Sequence, residues 1–238
     1  MERLISKVRA AIDKYNMIED NDKIAVCLSG GKDSTFLLYA LSHIQKFYPK
    51  KFSLIAITVD PCFNSANTDF SAITELCDKL NVPYIIKRTE LAEIIFNVRK
   101  ESNPCSLCAR MRRGLLHDMA KHEGCNKIAL GHHFDDAVET FFMNLFNCGN
   151  LSCFSPKSYL SRKDLFMIRP LIFCDEKKIT MNVNKLSLPV IKSPCPADGH
   201  TNRESTKQLI NSLQYDYKDL RKKVIGAMQR ANISDWGC

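Results

Sequence analysis

Apolar positions along this chain follow two rhythms. Residues 23–28, 52–59, 83–87 and 127–130 are short, nearly unbroken apolar runs, whereas the stretches between them repeat apolar residues every three or four positions. The first rhythm predicts strands buried on both faces, and the second predicts amphipathic helices. Helices are expected over residues 2–17, with Leu4, Ile5, Val8, Ala11 and Ile12 on the apolar side, and over 34–46, with Phe36, Leu37, Leu38, Leu41 and Ile44. Further helices are expected over 66–80, 90–98, 105–122 and 135–146. Strand and helix therefore alternate, which predicts a doubly wound α/β domain built on a parallel sheet. Residues 149–164 are turn-rich and read as an exposed loop, residues 167–171 read as a last strand, and helices over 176–186, 203–213 and 215–231 close the chain. The expected organisation is an N-terminal helix in residues 1–20, an α/β body in 21–175 and a C-terminal helical region in 176–238.

Open parallel sheets bind ligands beyond the carboxyl ends of their strands. Three groups sit there: Ser29-Gly30-Gly31, Asp60 and Gly131-His132-His133. The first belongs to Ser29-Gly30-Gly31-Lys32-Asp33-Ser34, which joins a strand to a helix. Two glycines let the backbone turn tightly and aim N–H groups at an anion, and the helix N-terminus adds its unpaired amides. Ser29 and Ser34 supply hydroxyls, and Lys32 can neutralise phosphate charge. A plain strand–helix turn capped by Asp33 or Ser34 is the simpler alternative. The glycine and lysine spacing is neither that of the Walker loop nor that of the dinucleotide fingerprint.

Composition narrows the class. The chain has 238 residues, 45% of them apolar and 25% charged, as in globular proteins. No apolar run reaches the roughly 18–20 residues of a membrane-spanning helix, and the N-terminus has no signal-peptide core, so a cytoplasmic protein without membrane attachment is expected. A formal charge of +8 favours a polyanionic partner. The basic residues cluster at Arg110, Arg112 and Arg113, at Lys157, Arg162 and Lys163, and at Lys218, Arg221, Lys222 and Lys223.

Eleven cysteines are many for a reducing compartment, where ligand-spaced thiols suggest metal or redox work. Cys27 and Cys77 fall on apolar faces and read as small hydrophobes. Cys105-Ser106-Leu107-Cys108 opens a helix, whose N-terminus favours thiolates. Cys195 lies between Pro194 and Pro196 on a constrained turn. Three such thiols could hold an iron–sulfur cluster with one iron open, a zinc ion completed by His200 or Asp198, or a redox pair with a bystander. After the fourth strand, His132, Asp135 and Glu139 recur at helical spacing, with His133 and Asp136 offset by one. Carboxylates there could hold Mg²⁺ or orient Lys32, or could simply cap a helix.

Taken in order, Ser29 to Ser34, Cys105-Ser106-Leu107-Cys108-Ala109-Arg110-Met111-Arg112-Arg113-Gly114, Gly131-His132-His133-Phe134-Asp135-Asp136, Arg169-Pro170-Leu171 and Pro194-Cys195-Pro196 resemble the tRNA 2-thiocytidine synthase family of PP-loop ATP enzymes, in the adenine nucleotide α-hydrolase superfamily. The resemblance implies a Rossmann-like fold of the HUP type and ATP-dependent thiolation of tRNA through an adenylated base. It implies ATP on Ser29, Gly30, Gly31, Ser34, Asp60, Gly131 and His132, with Lys32, Asp33, Asp135 and Asp136 as catalytic groups and Mg²⁺ among the cofactors. It further implies a [4Fe–4S] cluster on Cys105, Cys108 and Cys195. Arg110, Arg113 and Arg169 are its candidates for tRNA contacts. The sulfur donor would be a cysteine desulfurase or free sulfide, and a homodimer is one option for assembly. Two enzyme alternatives keep the nucleotide site: a persulfide on Cys105 or Cys108, and attachment of an amine as in lysidine synthetases. An ATP-binding zinc or iron–sulfur sensor without turnover is the alternative outside catalysis.

Overall fold

A computed structural model of the chain describes residues 2–63, 67–99, 104–192, 195 and 202–237. Within them a sheet has the order β3-β2-β1-β4-β6-β5, formed by β1 (Asp22–Cys27), β2 (Phe52–Asp60), β3 (Tyr84–Arg88), β4 (Lys127–Ala129), β5 (Lys157–Leu160) and β6 (Leu165–Ile168). All neighbours run parallel except β5, which pairs antiparallel with β6. Successive side chains of a strand point to opposite faces. Ile24 and Val26 of β1 accordingly join one core and Ala25 and Cys27 the other, as do Leu54 and Ala56 against Ile55 and Ile57 in β2. Both faces are covered, which is why these strands read as continuous apolar runs.

On one face α1 (Glu2–Lys14), α2 (Lys32–Gln45) and α3 (Ser71–Lys79) contribute Val8, Ile12, Phe36, Leu37, Leu41 and Ile73. Each fully buried aliphatic or aromatic side chain of this kind stabilises by about 1.5–3 kcal/mol. On the other face α4 (Pro104–His122) lays Ala120 over the sheet, with Leu116 and Met119 packed alongside. Burial pushes the thiols of Cys27, Cys77 and Cys174 up to about 12, so these cysteines are inert apolar filling.

The C-terminal part returns to the same body. α5 (Phe134–Cys148) contacts α7 (Asn202–Asp216) and α8 (Leu220–Arg230), and α6 (Glu176–Lys185) lies on α2. Trp236, fully buried, donates its indole N–H to the Phe154 carbonyl at 2.9 Å, while its own carbonyl accepts from the Tyr15 hydroxyl at 3.0 Å. No helix among the described residues is long and apolar enough to cross a membrane.

Several expected boundaries move for physical reasons. The loop expected over 149–164 contains β5, an edge strand too short and polar (Lys-Ser-Tyr-Leu) to show a hydrophobic period. The last strand runs from Leu165 to Ile168, ending before Arg169-Pro170, where proline removes a donor and biases its predecessor. The third helix starts at Ser71, because the backbone and hydroxyl of Thr68 are drawn to the Asp60 carboxylate at 3.0 and 3.1 Å; Ala66 lies outside the described residues. α8 begins only after Asp219, whose φ of 58° breaks the expected helix. The segment expected as a helix over 90–98 closes as a π-helix over Glu93–Val98.

Trp236→Ala should lower unfolding free energy by about 3–5 kcal/mol, because it empties a large, fully packed site and leaves the Phe154 carbonyl without its indole donor. Urea denaturation followed by circular dichroism measures this, and a change below about 1 kcal/mol would contradict the packing described.

Candidate nucleotide and thiol site

The sheet order reverses between β1 and β4, so the loops leaving these two strands part and open a crevice at their carboxyl ends. A cavity of about 400 Å³ lies there, floored by Ser29, Asp33 and Ser34 from one loop and by Leu130, Gly131 and His132 from the other. Arg112, Asp136 and Arg203 line its sides from α4, α5 and α7. A larger hollow of about 520 Å³ beside Lys87, Met119 and His122 has no glycine loop and no cysteine, so size alone does not locate the site.

The loop is shaped from within. Gly30 has φ 83°, a conformation open to glycine at little cost. The Ser29 hydroxyl accepts from the Gly31 amide at 3.3 Å, and the Ser34 hydroxyl donates to the Gly31 carbonyl at 2.9 Å. Gly31 is the N-cap of α2 and offers no capping side chain, so the first-turn amides remain available to an anion. Gly131 makes the opposite wall fit: a Cβ there would sit 3.0 Å from the Ser34 amide nitrogen. Lys32 Nζ is held at 2.9 Å by Asp33 Oδ2 and at 3.1 Å by Glu176 Oε1. Burial opposes its charge, but the two carboxylates outweigh that and raise its pKa. Asp33 Oδ1 is buried without a hydrogen-bond partner among the described residues.

Cys105 and Cys108 lie one turn apart at the start of α4, the first exposed and the second half-buried, and Cys195 is also half-buried. Burial raises the Cys108 pKa; Arg112 opposes this, while Cys195 and Cys105 each add to it. Cys108 is therefore within electrostatic reach of each of the other two thiols. Among the described residues, no three His, Cys, Asp or Glu side chains are gathered closely enough to hold a metal ion. Ser193, Pro194, Pro196, Asp198 and His200 lie outside those residues. The arm bearing Cys195 is tied to the phosphate loop four residues earlier, where the Ile191 amide donates to the Gly30 carbonyl at 2.8 Å.

A PP-loop domain model, ATP_bind_3, matches residues 2–212. The tRNA-cytidine(32) 2-sulfurtransferase of Syntrophotalea carbinolica is 38% identical over 95% of this chain and 90% of its own length. The enzyme of the same name from Dichelobacter nodosus is 37% identical over 97% and 85%. This chain belongs to the PP-loop family. Among solved structures, the U34-tRNA thiolase NcsA from Methanococcus maripaludis, with its [4Fe-4S] cluster, aligns with a TM-score of 0.79 and 26% identity, covering 97% of this chain and 78% of that one.

The PP-loop site differs from the sequence reading at several residues. Asp60 borders a recess of about 40 Å³ beside Ser29, but both its oxygens are taken by Cys62 and Thr68, so it shapes the loop instead of facing a ligand. His132, Asp135 and Glu139 do not share a helix face, because α5 starts at Phe134. His133 is its N-cap and forms a reciprocal capping box with Asp136. Asp135 turns away from the cavity: it accepts from the Glu176 amide at 2.7 Å and pairs with Arg221 at 3.2 Å, a latch and not a catalytic placement. Asp136 does face the cavity and pairs with Arg203 at 2.7 Å. His132 stacks on Phe154, and burial, with Arg169 next, lowers its pKa to about 4, leaving it neutral.

Arg169, expected as a tRNA contact, lies inside the fold. It is 7% exposed, donates to the Ser155 carbonyl and, at 3.3 Å, to His132 Nδ1, and covers the Phe154 ring at 4.9 Å. It braces the cavity wall and is closed to a tRNA backbone. Arg110 and Arg113 are exposed, whereas Arg112 lies inward with a buried Nε that has no partner among the described residues. The sequence held the signal: Arg112 follows Cys108 by four residues, so both lie on one helix face. Glu176, Arg203 and Lys207 were also missed, since long-range pairing alone brings them here.

Gly131→Ala should keep the fold and lower ATP affinity by about tenfold or more, because the new methyl displaces the Ser34 amide at the start of α2, where an anion would be held. Calorimetric titration with ATP checks this, and unchanged affinity would contradict that placement. Glu139 is 3% exposed; burial and then Asp136 raise its pKa to about 7, from 4.5. Its proton is bound more tightly in the folded state, so its contribution to stability is full below pH 4.5 and is lost as pH rises towards 7. Glu139→Gln should therefore gain thermal stability relative to the parent as pH goes from 5 to 8. A difference in Tm that does not vary with pH would contradict the burial of this carboxyl.

Proposed function

We propose that this chain is an ATP-dependent sulfurtransferase that converts cytidine in tRNA to 2-thiocytidine, the activity its relatives' names carry. The observation that supports it most is Arg112, which lines the cavity of the phosphate loop and acts on the thiol of Cys108. The same residue thus lines the cavity where a nucleotide would be cut and lies within electrostatic reach of a thiol where sulfur would arrive. Residues 21–175 would form the nucleotide-binding body, and 176–238 would bring the third thiol and the closing helices.

The amides at the start of α2, with Lys32, bind the phosphates. The C2 oxygen of the base attacks the α-phosphorus; the O–P bond forms, the bond to the β-phosphate oxygen breaks, and pyrophosphate leaves. A sulfide equivalent then adds at C2, and AMP departs with the former C2 oxygen. Arg112, with an unfilled buried donor, is placed to hold charge that develops at the phosphate. Asp33, with an unfilled buried acceptor, suits a Mg²⁺ and its waters, which would neutralise the leaving pyrophosphate. Cys105, Cys108 and Cys195 are a soft donor set, with Cys108 in electrostatic reach of the other two, and would be the thiols to hold a [4Fe–4S] cluster, which would supply an iron for binding sulfide. The wall residues His132, Phe154 and Arg169 exclude water and fix the strand end. Exposed Arg110 and Arg113 are placed for backbone contacts, whose strength should fall with salt.

Protein purified without oxygen and incubated with ATP, sulfide and tRNA should release AMP and pyrophosphate, with 2-thiocytidine found by nucleoside mass spectrometry. Arg112→Met should slow the reaction by on the order of 10²-fold with the fold intact. Release of ADP, or tRNA cytidines left unthiolated, would sink this reading. Thiolation by a colourless, iron-free protein would instead favour a persulfide on the exposed Cys105.

A further inference from the structure

Lys32 does not point freely into the cavity. Its ammonium shares the Glu176 carboxylate with a second ammonium, that of Lys207 on α7: Glu176 Oε1 is 3.1 Å from Lys32 Nζ, and Oε2 is 2.8 Å from Lys207 Nζ. One carboxylate thus spans two cations, much as a phosphate group would. One turn earlier on α7, Arg203 lies on the same helix face as Lys207. It lines the cavity with Ser29, Asp33 and Ser34. Its Nη1 is 2.7 Å from Asp136 Oδ1 and 3.7 Å from Glu139 Oε2, while Nη2 is 3.3 Å from the Thr140 hydroxyl. Buried Thr206 and Ile210 fix the rotation of α7, so both cations are directed towards the phosphate loop.

We propose that Lys207 and Arg203 form a second cationic wall for the pyrophosphate end of ATP, and that Glu176 occupies the place of a phosphate between Lys32 and Lys207 until the nucleotide displaces it. The proposal rests on the nucleotide chemistry given above and adds the residues that recognise the leaving group. A fixed guanidinium suits two phosphate oxygens, and an ammonium suits the terminal charge. Cations that meet the charge developing on departing pyrophosphate act where it is greatest in the transition state. The bland reading, α7 docked on α5 by surface ion pairs, accounts for Arg203 on Asp136. It does not account for Glu176 bridging the loop lysine and a lysine from α7.

The test uses the full chain in magnesium buffer, with ATP, inorganic pyrophosphate and AMP as separate calorimetric ligands. Lys207→Met and Arg203→Met should each weaken ATP and pyrophosphate by about tenfold or more, the loss of a charge-assisted contact, and leave AMP within about twofold. Equal loss for AMP and ATP, or no loss in variants with native circular dichroism, would overturn the wall. Glu176→Gln frees both ammonium groups and should bind pyrophosphate several-fold more tightly; weaker binding would overturn the displacement, whether or not the other variants fold. If the parent protein binds none of these ligands, the fault lies in the thiolation reading itself. If it binds pyrophosphate and the α7 variants bind it equally well, only the wall is wrong.

Discussion

The hydrogen bond from the Ile191 amide to the Gly30 carbonyl makes one site out of two distant stretches of chain. Gly30 can offer that carbonyl because its positive φ turns the peptide out of the direction a strand would continue. Its lack of a side chain matters as well, since a Cβ there would press on the Ile191 side chain at 3.1 Å. The glycine therefore serves two masters: it opens the amides of the loop towards an anion, and it seats the arm that leads to Cys195. Without that seat, the phosphate cradle and the third thiol would belong to separate pieces of the fold.

Around this seat the charges are arranged as pairs, and few are left over. Asp135, Asp136 and Glu176 each hold a basic residue of the C-terminal helices: Arg221, Arg203 and Lys207. For Glu176, burial works against ionisation, but hydrogen bonds from Lys207 and Lys32 hold its carboxyl down at about 2. The exceptions are telling. Asp33 Oδ1 and Arg112 Nε are two of the five buried side-chain atoms without a hydrogen-bond partner among the described residues, and both residues line the cavity. Polar atoms without partners are unfavourable in a folded interior, so these two are suited to meet a ligand in the crevice.

The sheet was largely legible in the sequence because parallel strands covered on both faces leave continuous apolar runs, and residues 23–28 and 52–59 are such runs. The glycine loop was legible because its signal is local. β5 was not, since a polar edge strand of four residues depends on β6 and not on its own pattern. The surroundings of Arg169 and Asp135 were not legible for a related reason. An arginine or aspartate looks the same in a sequence whether it meets solvent or a buried partner far along the chain, and only packing decides. Arg112 was an avoidable omission, because its spacing from Cys108 is local.

The bond between the Tyr15 hydroxyl and the Trp236 carbonyl joins residues 221 positions apart. During synthesis the first helix emerges long before its partner exists, a wait on the order of ten seconds or more at ordinary elongation rates. Trp236 also holds the Phe154 backbone, and the Phe154 ring stacks against His132 in the crevice wall. A nascent chain can therefore assemble its sheet before Trp236 is made, but the crevice wall at Phe154 and His132 is braced only once Trp236 has joined it.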